Sequence, residues 1–223
     1  MQNYDPAPHS SDKAPARGRG RPRAFDRKAA LALATRLFWE KGYEATSVAD
    51  LTEAMGIGSP SLYAAFGSKE ALYAEALDHY CETYEAFVWS NFFTAATARE
   101  AIRCLLMDSA AALTGSFADI PHGCMVTLST VGSEGHVALG ERVRSVRAVT
   151  LDRLKQRLER AAAAGEIPAS ADIHALSRFV QTVQSGMSIL ARDGADRTEL
   201  EAVARTTMAA WDARVGDRAF PDP

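Results

Sequence analysis

The chain has 223 residues, is 47% hydrophobic and 24% charged, and carries a formal net charge of −3, the profile of a soluble globular protein with room for one large or two small domains. No apolar run approaches the ~18 residues of a membrane span and the start lacks an apolar signal core, so neither export nor membrane insertion is expected and the expected location is cytoplasmic. Three cysteines (Cys81, Cys104, Cys124) are odd in number and lack the CxxC spacing of zinc sites, which makes reduced thiols the default and predicts no resident metal or cofactor.

Residues 1–24 are rich in Pro, Gly, Ala, Ser and Arg without apolar periodicity, and read as a disordered arm. Lys13, Arg17, Arg19, Arg21 and Arg23 follow one another with no acid among them. The Arg19-Gly20-Arg21-Pro22 run resembles an AT-hook core, whose slim backbone lets arginines enter a narrow minor groove. Arg19, Arg21 and Arg23 are therefore candidate DNA contacts, against the plainer reading of a solvated basic tail.

A first helix is expected from Asp26, a good cap, with Phe25 and Ala30 placed as a hydrophobic staple and Gly42 closing it. Ala30, Leu33, Ala34, Leu37 and Phe38 repeat at i, i+3, i+4, i+7 and i+8. Thr46 to Lys69 then reads as helix, tight turn, short helix. Ser47 and Asp50 resemble a capping box, Gly56 sits where a left-handed residue ends a helix, and Ser59-Pro60 is a hydroxyl cap followed by proline at the first helical position. Leu62 and Phe66 point inward on this reading, while Ser59, Ser61 and Tyr63 point outward. Ser68 caps the next helix. This is the helix-turn-helix pattern, which lays its second helix in the major groove; the alternative is an ordinary helical hairpin in a bundle.

The ordered set Phe38, Lys41-Gly42-Tyr43, Thr46-Ser47-Val48, Gly56-Ile57, Leu62-Tyr63, Phe66 and Ser68-Lys69-Glu70, spread over Phe25 to about Leu77, resembles the N-terminal domain of the TetR/AcrR family of transcriptional repressors. The resemblance implies an all-α, two-fold symmetric homodimer: a three-helix helix-turn-helix domain followed by a larger helical domain that binds an effector and dimerises. It implies phosphate contacts at Thr46 or Ser47, Tyr63 and Lys69, and base or near-base contacts at Ser59, Pro60 and Ser61. One departure stands out. Ala65, preceded by Ala64, occupies the place where the family usually carries His or Tyr before the Phe, so the recognition helix is thin in base readers. Greater dependence on the Arg19/Arg21/Arg23 arm and on DNA shape is the expectation.

Beyond this point the pattern is helix on helix. Segments are expected at Lys69 to about Phe93, Ala98 to Thr114, Cys124 to Val131, Glu134 to Ala164, Ile173 to about Asp193, and Thr198 to about Val215. The boundaries that follow are an arm at 1–24, a DNA-binding domain at 25–70, an effector and dimerisation domain at 71–216, and a tail at 217–223. Arg142, Arg144, Arg147, Arg153, Lys155 and Arg157 read as a solvated basic face, a second nucleic-acid site being the lesser reading. The last two helices carry apolar stripes at three-four spacing, and by resemblance Val180, Val183, Met187, Leu190, Val203, Met208 and Trp211 form the dimer interface; the alternative is that the stripes only close the monomer's own core. Two recognition helices about one turn apart (~34 Å) would read a palindrome.

Family pockets lie among the middle helices, which makes Phe87, Leu106, Met107, Phe117, His122, Cys124, Met125 and Leu128 the candidate lining, Phe92 and Phe93 further apolar candidates, and Thr127, Ser129 and Asp108 further polar ones. His122, Cys124 and Met125, with Cys104 and Cys81 nearby, also admit a Cu(I) or thiol-oxidation sensor, against structural cysteines in a core. No Gly-rich phosphate loop or GxSxG elbow occurs, and Ser129, Glu134 and His136 lie at unrelated spacings, so an enzyme is not expected. The reading is a dimeric repressor bound to double-stranded DNA and released by a small molecule, the alternatives being the metal or thiol sensor of the same fold and an effector-free DNA-binding protein.

Overall fold

The structure, a computed structural model, describes residues 25–133 and 135–215, so the basic arm with Arg19, Arg21 and Arg23 and the tail at 217–223 lie outside the described residues. Among the described residues the chain forms helices α1 (Arg27–Lys41), α2 (Val48–Met55), α3 (Ser59–Phe66), α4 (Lys69–Thr94), α5 (Ala98–Leu113), α6 (Met125–Leu128), α7 (Val137–Ala163), α8 (Ile173–Arg192) and α9 (Arg197–Val215), and no strand.

Local chemistry sets most of these ends. The Asp26 side chain accepts from the amides of Lys28 and Ala29 at the start of α1. Ser47 and Asp50 form a complete capping box on α2, and Gly56 closes that helix at φ 65°, where a side chain would be strained. Ser68, Thr97 and Asp172 cap α4, α5 and α8 in the same way. One local expectation fails. The cap of α3 is Gly58, with Ser59 already inside the helix and its hydroxyl making no capping bond. The Phe25 ring stands edge-on against Phe66 with centroids 6.4 Å apart, joining the start of α1 to α3.

Two apolar cores result. The first gathers Ala34, Phe38 and Tyr43 with Leu51, Leu62 and Phe66, and continues through Leu72, Tyr73, Ala76 and Leu77 of α4 into Met125, Val126, Leu139 and Val143. The DNA-binding unit thus draws buried side chains from α4, α6 and α7, well past position 70, because three short helices bury too little surface to hold themselves. The second core joins α5, α7, α8 and α9 around Ile102, Leu105, Leu106, Leu154, Leu158 and Val180.

The basic run of α7 is a solvated face only in part: Arg144 is exposed, while four of its arginines find partners within the protein. Arg142 is paired with Asp78 of α4, Arg153 lies 2.5 Å from Glu85 of α4, and Arg157 lies 3.5 Å from Glu166. Arg147 donates to the carbonyls of Val126, Thr127 and Ser129 at 2.7 to 3.0 Å. Arg142, Arg147 and Arg153 tie α7 to α4 and α6, and Arg157 holds the segment that follows α7. A similar correction applies to the C-terminal stripes. Val180, Met187, Met208 and Trp211 are buried in the protomer's own core, Val183 and Val203 pack against it, and of the seven only Leu190 is fully exposed, at 45%. The stripe that α8 leaves uncovered is rotated to Ala175, Phe179, Thr182, Ile189 and Leu190, because its broader apolar face packs against α7, α5 and α9.

Candidate nucleic-acid interface and ligand cavity

Helix α3 buries Leu62 and Phe66 and exposes Ser59, Pro60, Ser61, Tyr63 and Ala64, so one side of two turns is free to face a partner. Tyr63 is 47% exposed, the largest side chain on that side. The starts of α2, α3 and α4 lie around it, capped by Ser47, Gly58 and Ser68, and outward amides at such starts favour phosphate. Ser47 is exposed. Thr46 is fully buried, its hydroxyl donating to the Gly42 carbonyl at 2.6 Å, so its side chain serves the turn and only Ser47 of this pair is open to a phosphate.

Lys69 is half-buried, with Nζ 4.2 Å from the Tyr43 ring centroid. Burial, then the Glu70 carboxylate that accepts its hydroxyl proton, raises the Tyr43 pKa well above the ordinary phenol value. Glu70 itself is held below its usual range, first by a backbone hydrogen bond and then by Tyr43. The start of α4 is thereby pinned to the turn between α1 and α2.

Sequence reasoning missed Arg27. Its Nη2 donates to both carboxylate oxygens of Glu75 at 2.8 Å, its Nε donates to the Ala65 carbonyl at the end of α3 at 3.2 Å, and the guanidinium lies 4.5 Å from the Phe66 ring centroid. One side chain of α1 thus braces the recognition helix against α4.

A cavity of about 430 Å³ lies between α1, α4, α5, α7 and α8 and the segment around α6. Tyr80, Tyr84 and Phe87, at i, i+4 and i+7 on α4, line one wall with Trp39 and Trp89. Gln181, Gln184, Ser185 and Ser188 of α8 line another, with Ser109 opposite. Of the sequence-predicted lining only Phe87 and Cys124 are at this wall, joined by Thr127 from the polar candidates. Leu106 is in the second core and Met107 packs against it, while Met125 is in the first. Phe92 is buried in the second core as well, and Phe93 is exposed with its ring 5.9 Å from that of Trp89. Phe117 is exposed with its ring 5.6 Å from that of Phe87, and His122 and Leu128 stay off the wall. Asp108 binds Asn91 and Ser129 binds Tyr73 instead. The suggested Cys/His/Met cluster does not assemble: Met125 turns into the core, Cys104 bonds to Glu100, and only Cys81 joins Cys124 at the cavity. Among the described residues no group of three His, Cys, Asp or Glu side chains is placed to hold a metal ion.

Trp39 is the residue with the widest reach. It belongs to α1 of the DNA-binding unit, lines the cavity, and donates from its indole nitrogen to the Gly123 carbonyl at 3.0 Å. Arg192, in the last turn of α8, donates to the carbonyls of Trp39 (2.8 Å), Glu40 (2.9 Å) and His122 (3.0 Å). Burial lowers the Arg192 pKa from its ordinary value. The Ser188 hydroxyl of α8 accepts from the Cys124 amide at 2.8 Å, closing a junction of α1, α8 and the 121–124 loop.

Residues 30–76 match the family model described as bacterial regulatory proteins, tetR family. The chain is 39% identical over 198 residues to the HTH-type transcriptional repressor ComR of Escherichia coli (strain K12), covering 87% of this chain and 93% of that protein. It is 50% identical over 64 residues to the repressor BdcR of the same organism, which covers 29% of this chain and 32% of BdcR. A cysteine-substituted form of the TetR family regulator CifR, solved with 26-base-pair double-strand operator DNA, superposes with a TM-score of 0.80 at 39% identity over 86% of this chain and 100% of that one. This chain belongs to the TetR family of bacterial transcriptional regulators, DNA-binding proteins of helix-turn-helix type that are not enzymes.

Proposed function

We propose that this chain is a homodimeric repressor that holds a palindromic operator with two copies of α3 and leaves it when a small molecule enters the cavity. The observation that carries the effector part is the position of Trp39. A ligand in the cavity touches a side chain of α1 itself, and α1 carries the recognition unit through Arg27 and the first core. A ligand that prefers one position of Trp39 therefore prefers one setting of α3, and by linkage it weakens operator binding by the same factor by which the operator weakens its own binding. The relationship to ComR, a repressor, and to operator-bound CifR supports the DNA part.

Phosphates are met by Ser47, Tyr63, Lys69 and the helix starts, bases by Ser59, Pro60 and Ser61, and the arm with Arg19, Arg21 and Arg23 reaches the minor groove. Dimerisation uses the exposed stripe of α8, Phe179, Thr182 and Leu190, beside the small exposed residues Ala202, Thr206, Ala209 and Ala210 of α9. Small residues let two copies approach closely, and Phe179 with Leu190 supplies the apolar area. Footprinting on the DNA adjoining the protein's own gene, with sedimentation of free and bound protein, tests the proposal. A symmetric footprint occupied by an even number of chains is expected. A monomer in solution and on DNA, or equal affinity for every duplex at ~150 mM salt, would end it.

A further inference from the structure

We infer, building on the effector reading above, that the cavity takes an uncharged, mainly aromatic molecule bearing a hydrogen-bond donor and rejects carboxylates, sulfonates and phosphates of the same shape. The aromatic preference follows from the Tyr80, Tyr84 and Phe87 stripe facing Trp39 and Trp89. The rejection of anions follows from how the charged groups in the described wall are already engaged. Arg153 sits 2.5 Å from Glu85 with its guanidinium 5.0 Å from the Trp89 ring centroid, so its charge is met by a carboxylate and a ring face. Arg147 spends Nε and Nη2 on the carbonyls of Val126, Thr127 and Ser129, the negative ends of peptide dipoles at the end of α6. Only its Nη1 makes no hydrogen bond among the described residues, and it belongs to a group already surrounded by carbonyl oxygens. An anion entering the cavity meets one open donor edge, Arg147 Nη1, whose charge is already shared among three carbonyls, and otherwise lies among rings with Glu85 repelling it. Cys81 adds no charge either, since burial, and then neighbouring Cys124, push its thiol up to about 11.

The donor requirement comes from Gln184. Its amide nitrogen donates to the buried Ser109 hydroxyl at 2.9 Å, which fixes the side chain and leaves its carbonyl oxygen without a partner among the described residues. No buried side-chain oxygen there lacks a partner, so this one is accessible. Gln181 is different: its nitrogen is given to the Arg147 carbonyl and its oxygen accepts from Arg178. Gln184 thus offers this wall an acceptor held in place and open to an N–H or O–H.

N-phenyl-1-naphthylamine and 1-anilinonaphthalene-8-sulfonate share one frame and one N–H and differ by a sulfonate. Both gain fluorescence on leaving water. Titrated into the full-length protein, the neutral probe is expected to saturate at a Kd at least roughly tenfold below that of the sulfonate. Its binding should be lost in Ser185→Phe, which fills the cavity, and weakened severalfold in Gln184→Leu. Energy transfer from tryptophan to the bound probe, reduced in Trp89→Phe, locates it without relying on the filled variant. Equal or tighter binding of the sulfonate at that location, binding that ignores all three substitutions, or no binding of either probe would overturn the inference. A neutral probe bound as described while operator affinity stays constant would leave this ligand class standing and refute the effector reading instead.

Discussion

Replacing Arg192 by Met should loosen the whole molecule, although the position lies near the end of a helix and far from α3. The guanidinium makes three hydrogen bonds of 2.8 to 3.0 Å to carbonyls of α1 and of the loop before α6. Trp39 and Glu40 lie in the last turn of α1, whose carbonyls have no intrahelical partner, and a cation there also meets the negative end of the helix. A hydrogen bond to a charged group contributes about 1.5 to 3 kcal/mol. The three are not additive, since they share one side chain and water can reach some of the freed carbonyls of this half-exposed site. A loss of roughly 2 to 4 kcal/mol is expected in Arg192→Met, and about half of it in Arg192→Lys, which keeps the charge but not the fork. Urea unfolding at one fixed protein concentration, followed by circular dichroism and by tryptophan fluorescence, measures both. A loss under about 0.5 kcal/mol for Met, or a Lys variant as stable as the parent, would refute the reasoning. A further consequence is specific to the junction: amide exchange at the end of α1 should speed up more than that at the end of α9.

Other outcomes follow from the same geometry. Gly140→Ala should cost about 1 to 3 kcal/mol or more, because a Cβ there runs into the backbone of Gly132, whose own Cβ would lie 2.8 Å from the Gly140 Cα; thermal unfolding reads this directly. Lys69→Ala should reduce the salt slope of operator binding by about one, and alanine at Arg19, Arg21 and Arg23 by roughly one for each arginine that reaches a phosphate; unchanged slopes in a fluorescence-anisotropy titration would remove these residues from the interface. Asp50 is held down at about 2, first by the Ser47 hydroxyl and then by the Ser47 amide. Its folded value lies below the free carboxyl's, so the α2 cap is fully effective above about pH 4 and is lost as pH falls toward 2, which a carbonyl-carbon NMR titration of Asp50 should trace. Arg27→Ala should lower operator affinity with little change in the salt slope, since Arg27 braces α3 through Ala65, Phe66 and Glu75, and a slope reduced as in Lys69→Ala would mark it as a phosphate contact instead.

Helix identity and ends were legible without tertiary structure wherever chemistry is local. The Ser47–Asp50 box, left-handed Gly56 and the Ser68 cap each act within four residues, and their partners are adjacent in the chain. The inward direction of Leu62 and Phe66, and hence the exposed side of α3, follows from the helical period alone. What a stripe packs against is a different matter. The α8 pattern is compatible with a core and with a dimer seam, and only the packing of α7, α5 and α9 around α8 assigns Val180 and Met187 to the protomer and leaves Phe179 and Leu190 outside. The arginines of α7 look solvated in the sequence because Asp78, Glu85 and the α6 carbonyls lie 18 to 68 positions away. The cavity is the extreme case. Its wall combines Trp39 with Gln184 and Cys81 with Cys124, residues that share no period and no motif, since a void is defined by where helices fail to meet. Sequence sets the faces of helices; the crossing of those helices decides which face closes a core, which meets a partner, and which is left to hold a ligand.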